Sequence, residues 1–169
     1  METISRLRYF IYLSILFVGC TTGKNALQKG SYDAAVSKAV ERLKNSPRNE
    51  EALKVLPQAY DLAFKSHLRK IDEAKMSADV LRWETVMYEY QQLNQLSDEI
   101  NSSPVALKLV PNPTKFIAEA AEARYKSAEV RYTLGVNQLK ENNRISAKKA
   151  YYYFERAQQL EPTYMDVKY

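Results

Sequence analysis

The sequence predicts an all-α protein built from antiparallel helix hairpins. Three observations carry that expectation. Apolar residues recur along most of the chain with the 3.6-residue period of a single helical face. Ala, Leu, Lys, Glu and Gln, which sustain helices, are abundant, whereas 169 residues contain only 4 Gly and 6 Pro. No segment shows the apolar–polar alternation of a half-buried strand.

Five helices are predicted, at about 32–45, 49–74, 77–101, 114–142 and 146–160. In the first, Tyr32, Ala35, Val36, Ala39, Val40 and Leu43 share one face; Ser31 is placed to cap it and Pro47 to stop it. In the second, Leu53, Leu56, Tyr60, Ala63, Phe64, His67, Ile71 and Ala74 form a continuous stripe. Pro57 lies inside that stripe and is expected to kink the helix, or to delay its start to near Val55, because it lacks a backbone donor. The third carries Val80, Trp83, Met87, Tyr90, Leu93 and Ile100 near one face. The stretch SSPVALKLVPNP (102–113) reads as a loop held on the helices by Val105, Leu107, Leu109 and Val110. Thr114 is placed to cap the fourth helix, whose alanines (Ala118, Ala120, Ala121, Ala123, Ala128) allow a neighbouring backbone to come close. The turn ENNRIS leads to the fifth helix, which Pro162 ends.

Ahead of these helices the chain has a different character. Arg6 and Arg8 precede an apolar run, YFIYLSILFVG (9–19), too short to span a bilayer as a helix. A basic start, an apolar core and a small residue before a cut describe a secretory signal. The ending LFVGC resembles the lipobox of bacterial lipoproteins. That resemblance implies a signal peptide at 1–19, lipidation of Cys20, a short leash over 20–30, and one helical repeat-like domain over 31–169. Cys20 is the only cysteine, so no disulfide can form within the chain. TTGK after Cys20 lacks an acidic cluster resembling surface-export signals, which favours an outer-membrane lipoprotein facing the periplasm.

A repeat emerges within the helices. In GSYDAAVSKAVERLKNSP, Tyr32, Ala35 and Pro47 stand where the second helix of a tetratricopeptide repeat places them, and KKAYYYFERAQQLEP repeats the offsets with Ala150, Phe154, Ala157 and Pro162. Leu53, Leu56 and Tyr60, and the Leu134–Gly135 pair, resemble first-helix halves. Ala39 and Arg42 depart from the pattern, as does the chain after Tyr60. The implied architecture is a short tetratricopeptide-like α-solenoid with two long irregular middle helices. Together with HLRKIDEAK, LRWETVMYEYQQLNQL, SSPVALKLVPNP and YYYFERAQQLEPTYMDVKY, the layout resembles the tetratricopeptide-containing lipoproteins of Bacteroidota. The resemblance implies architecture and place rather than an activity. By alignment to the repeat, Lys54, Gln58, Asp61 and Tyr132 would line a concave partner-facing surface.

Chemistry-bearing motifs are sparse. The single histidine, His67, lies on an apolar stripe and reads as structural, since a metal site needs several ligands. No Gly-rich phosphate loop, HExxH or GxSxG occurs. Paired carboxylates such as Asp72/Glu73 and Glu119/Glu122 read as solvated helix faces. A net charge of +5, interspersed along the chain, does not argue for nucleic acid. Tyr151-Tyr152-Tyr153-Phe154 cannot all share one face; Tyr151 and Phe154 are assigned to packing, and Tyr152 and Tyr153 to partial exposure or a partner. The expectation is a non-enzymatic scaffold or adaptor without cofactor or metal, anchored through Cys20 and holding another envelope protein. The alternatives are a module binding cell-wall glycan or polysaccharide through Trp83 and exposed tyrosines, or an accessory subunit of an outer-membrane assembly or secretion machine.

Overall fold

The computed structural model describes residues 23–165, so the signal-like segment, Cys20 and the last four residues lie outside the described part. The described residues are all-helical: α1 (Lys24–Gln28), α2 (Tyr32–Asn45), α3 (Glu50–Met76), α4 (Arg82–Asn101), α5 (Pro104–Leu109), α6 (Ile117–Lys140) and α7 (Arg144–Leu160). Helices α2, α3, α4, α6 and α7 each pack against the next in chain order, while α1 lies on α2 and α3, and α5 on α2, α3 and α4.

Helix α2 occupies the expected span and buries Ala35, Val36, Ala39, Val40 and Leu43, although the Ser31 side chain makes no capping bond. Helix α3 starts at Glu50, with Asn49 accepting from the Ala52 N–H at 2.9 Å. It runs on through Pro57 without ending or restarting near Val55, because Leu56 and Ala59 on either side are wholly buried. Helix α4 begins five residues later than the periodicity suggests. Ser77 Oγ accepts from the Asp79 N–H, and Asp79 Oδ1 from the Leu81 N–H, so local side-chain bonds divert the backbone from a helix. Val80 is consequently exposed in the turn.

Two other expectations change. The described part of the leash packs on the helices: Ala26 of α1 is buried, and a Cβ on Gly23 would stand 2.5 Å from the Ala35 carbonyl oxygen. The 102–113 stretch contains helix α5, whose start is the Ser103 cap followed by Pro104 at the first helical position. Val105, Leu109 and Val110 pack inward as expected, whereas Leu107 is exposed.

Thr114 does not cap α6. That helix is started from outside by Asn94 of α4, whose Oδ1 accepts from the Phe116 N–H at 2.6 Å and whose Nδ2 donates to the Phe116 carbonyl at 3.3 Å. The Phe116 ring wedges between Phe64 of α3 and Tyr90 of α4, at centroid distances of 6.0 and 5.4 Å. Asn94→Ala removes a long-range cap and orphans that N–H. It should lower unfolding free energy by about 1–2 kcal/mol, read as a shifted urea midpoint. An unshifted midpoint would show that Phe116 alone sets the start of α6. Asn143 caps α7, which therefore begins at Arg144 rather than 146.

The core divides in two. One cluster joins α1, α2, the first half of α3, the end of α4 and α5, around Leu43, Leu56 and Ile100. The other joins the second half of α3, the start of α4, α6 and the end of α7, around Ile71, Val86 and Leu93. Beyond Pro162 the chain folds back on α6, where Tyr164 meets Tyr125 and Tyr132 edge-on at 5.2 and 5.7 Å.

Candidate functional site

His67 sits between the two clusters, with Ala63 of one and Ile71 of the other four residues away on either side. The ring is buried, and both its nitrogens meet carboxylates. Nδ1 lies 2.5 Å from Glu89 Oε2 on α4, and Nε2 lies 3.0 Å from Asp33 Oδ1 on α2. Glu89 is itself buried, and Lys70 Nζ stands 3.6 Å from it. One imidazole thus ties α2, α3 and α4 together. Both contacts act as hydrogen bonds only if both ring nitrogens carry protons, the state of the imidazolium.

The electrostatics agree. Burial by itself would push the His67 pKa down, but the hydrogen bonds and charges of Asp33 and Glu89 outweigh it and hold the pKa above its ordinary value. The Asp33 carboxyl is held low, chiefly by its hydrogen bond from His67, against burial and with help from the charges of His67 and Lys70. The carboxylates stand on opposite ring nitrogens and cannot converge on one ion. Among the described residues no group of three His, Cys, Asp or Glu is arranged to hold a metal. With both nitrogens engaged, the ring fastens helices and presents no free base to the adjoining cleft of about 280 Å³ beside Ser31, Ser66 and Lys70.

His67 is buried on the stripe where the sequence placed it, but sequence reasoning missed its partners. Glu89 left a signal: three residues after Val86 and four before Leu93, it is a carboxylate in the apolar register of α4. Asp33, thirty-four positions before His67, left none.

A second charged centre joins α4, α6 and α7. Glu84 accepts from Arg131 Nε at 2.5 Å and from Arg156 at 3.2 Å. Burial raises the Glu84 pKa, but the two guanidiniums bring it below its ordinary value. Beside this centre, α6 and α7 flank a cleft lined by Arg131, Gln138, Lys149, Tyr152 and Tyr153.

The sequence-selected residues distribute unevenly. Lys54, Gln58 and Asp61 are exposed along α3, and Asp61 pairs with Lys65 at 2.8 Å. Tyr132 is not on an open face. It is half-buried against Phe154 and Tyr164, at 5.3 and 5.7 Å, because the Gly135 side of α6 is the one α7 covers. Tyr152 is exposed and Tyr153 half-buried beneath the Arg131 guanidinium. Tyr151 is 62% exposed rather than packed beside Phe154. Of the positions assigned to repeat packing, Ala35, Leu56, Gly135, Ala150 and Ala157 are buried, and Tyr32, Leu53, Tyr60, Leu134 and Phe154 are half-buried. Pro47 and Pro162 are exposed in turns. Trp83 is half-buried on the second cluster, with Lys126 Nζ over its ring at 4.2 Å. Among the described residues no helix is long and apolar enough to cross a membrane.

No family model matches this chain, and neither the curated proteins nor the solved structures hold a match to it.

Proposed function

We propose that this chain is a lipid-anchored, non-enzymatic scaffold of the bacterial envelope, held at the periplasmic face of the outer membrane. Its helices would hold another envelope protein. The observation that carries the reading is the position of LFVGC, a lipobox-like segment with the chain's only cysteine, directly ahead of a succession of packed helices. A diacylglycerol thioether plus an N-acyl chain on Cys20 would exceed the two-signal threshold for stable membrane attachment. The tetratricopeptide-like reading of those helices is supported by the α6–α7 pair, where Gly135 lies against Phe154, a small residue facing an aromatic one as in a repeat, with Gly135 to Ala150 three residues longer than the usual spacing.

The anchor is tested by substitution. Cys20→Ala should abolish incorporation of radiolabelled fatty acid and move the protein out of the membrane fraction. Undiminished labelling would refute lipidation at Cys20. The scaffold role is tested by crosslinking in intact cells and purification from solubilised membranes. A specific co-purifying envelope protein is the expected result, and a clean preparation after crosslinking would overturn the role.

A further inference from the structure

The cleft between α6 and α7 belongs to neither core cluster nor the His67 centre. Its volume is about 310 Å³, and Arg131, Gln138, Lys149, Tyr152 and Tyr153 line it without a carboxylate among them. On α7, Ile145, Lys149, Tyr152 and Arg156 follow one another at i, i+4, i+7 and i+11, so apolar, cationic, aromatic and cationic groups alternate along one stripe. Ile145 is 72% and Tyr152 54% exposed, so both offer apolar surface on this stripe.

The positive charge of this face is only partly compensated. Arg131 and Arg156 share the single carboxylate of Glu84. Lys149 forms no ion pair among the described residues, and neither does Lys148, which stands over the Tyr152 ring at 6.0 Å. The nearest acidic residue along α7, Glu155, stands six residues after Lys149 and so points roughly 120° away from it around the helix.

We propose that this cleft binds an extended acidic segment of a partner protein. A carboxylate of the segment meets Lys149, and an apolar or aromatic side chain lies on Tyr152 and Ile145. The proposal deepens the scaffold reading and rests on it for the source of the segment. The concave shape selects the occupant. A chain segment enters a cleft between two helices, whereas a bilayer surface meets only its rims. Tyrosine and arginine at the lip are the side chains that most often anchor protein contacts, and the unpaired cations favour a negatively charged partner over its neutral counterpart.

The experiment uses the full chain in detergent micelles and a fluorescein-labelled peptide of alternating glutamate and phenylalanine, followed by fluorescence anisotropy. The acidic peptide should bind, and a peptide with lysine in place of glutamate should not. Lys149→Glu should weaken binding about tenfold, equivalent to about 1.4 kcal/mol, and Tyr152→Ala should weaken it too. Lys38→Glu, an exposed change on α2, should leave it unchanged. Unaltered melting curves for the variants separate lost binding from lost folding. Equal binding by Lys149→Glu, or by the lysine peptide, overturns the proposal. In phosphatidylcholine vesicles, displacement of the peptide by added phosphatidylglycerol that Lys149→Glu abolishes would make the face a lipid-docking surface and overturn it as well. Crosslinking in cells that captures a partner undiminished by Lys149→Glu keeps the scaffold reading and removes the cleft from it. If cells yield no partner at all the scaffold reading falls, while the peptide assay still judges the cleft.

Discussion

Replacing His67 with leucine should lower the unfolding free energy by about 3–5 kcal/mol, the cost typical of removing one partner from a buried charged pair. The loss comes less from the ring than from what it leaves behind. Glu89, buried on α4, would keep only Lys70 at 3.6 Å, and Asp33 would lose its Nε2 partner. A second variant separates this from a packing defect. His67→Leu combined with Glu89→Leu replaces both buried polar groups by apolar ones, and should recover much of the loss. If the double variant is as unstable as the single, the damage is steric and the electrostatic account fails.

The same centre dictates a pH dependence. The folded pKa of His67 lies above its unfolded value of about 6.5, so its contribution is complete below that pH and is lost as pH rises through the folded value. Asp33 behaves oppositely. Its folded pKa lies below the ordinary 3.8, so its contribution is present above that pH and is lost as pH falls through the lowered value. Stability should therefore be highest on the mildly acidic side of neutrality and decline toward alkaline pH. There the imidazole keeps one proton and can donate to only one of its two carboxylates. Melting temperatures measured from pH 5 to 9 test this. The decline should be steeper for the native chain than for His67→Leu, and equal slopes would remove His67 from the explanation.

Gly135→Val should destabilise the α6–α7 hairpin by about 2–3 kcal/mol, in the range of overpacking a filled core. Ordinarily a glycine inside a helix is a weakness, and replacement by alanine gains about 1 kcal/mol. Here the gain is overridden. A Cβ at this position would stand 2.6 Å from Phe154 Cε1 and 2.9 Å from Cδ1 and Cζ. The ring has little room to retreat, because Tyr132 packs against it at 5.3 Å. Phe154→Ala clears the space, so the two changes together should cost less than the sum of their separate costs, a coupling that equilibrium denaturation of the four proteins measures. Strict additivity would mean that the close approach of Gly135 to Phe154 contributes nothing.

Much of the fold was legible because it rests on local signals. The stripe Tyr32 to Leu43 marked α2 to the residue, since periodicity and a following proline coincide there. Where boundaries moved, a tertiary or side-chain bond had displaced the local preference. Ser77 and Asp79 delayed α4, and Asn94, twenty-two residues before Phe116, took over the start of α6 from Thr114. The Ser103-Pro104 pair in the 102–113 stretch was a legible helix start, hidden by two further prolines nearby. The candidate sites were less legible. His67 could be placed inside, but not between Asp33 and Glu89; Tyr152 could be called exposed, but not set across a cleft from Gln138.

The sequence by itself determined the five long helices and most of the faces they bury, because a 3.6-residue period, caps and prolines act within a few residues of one another. It also placed an apolar run and a lone cysteine ahead of them, and so supplied the expectation of an anchor. Only the tertiary structure decided which charges meet. The Asp33–His67–Glu89 centre and the two arginines on Glu84 join residues 22 to 72 positions apart in the chain. A buried charge is tolerated only beside a partner, and which partner comes near is fixed by how the helices pack, not by any residue's neighbours along the chain.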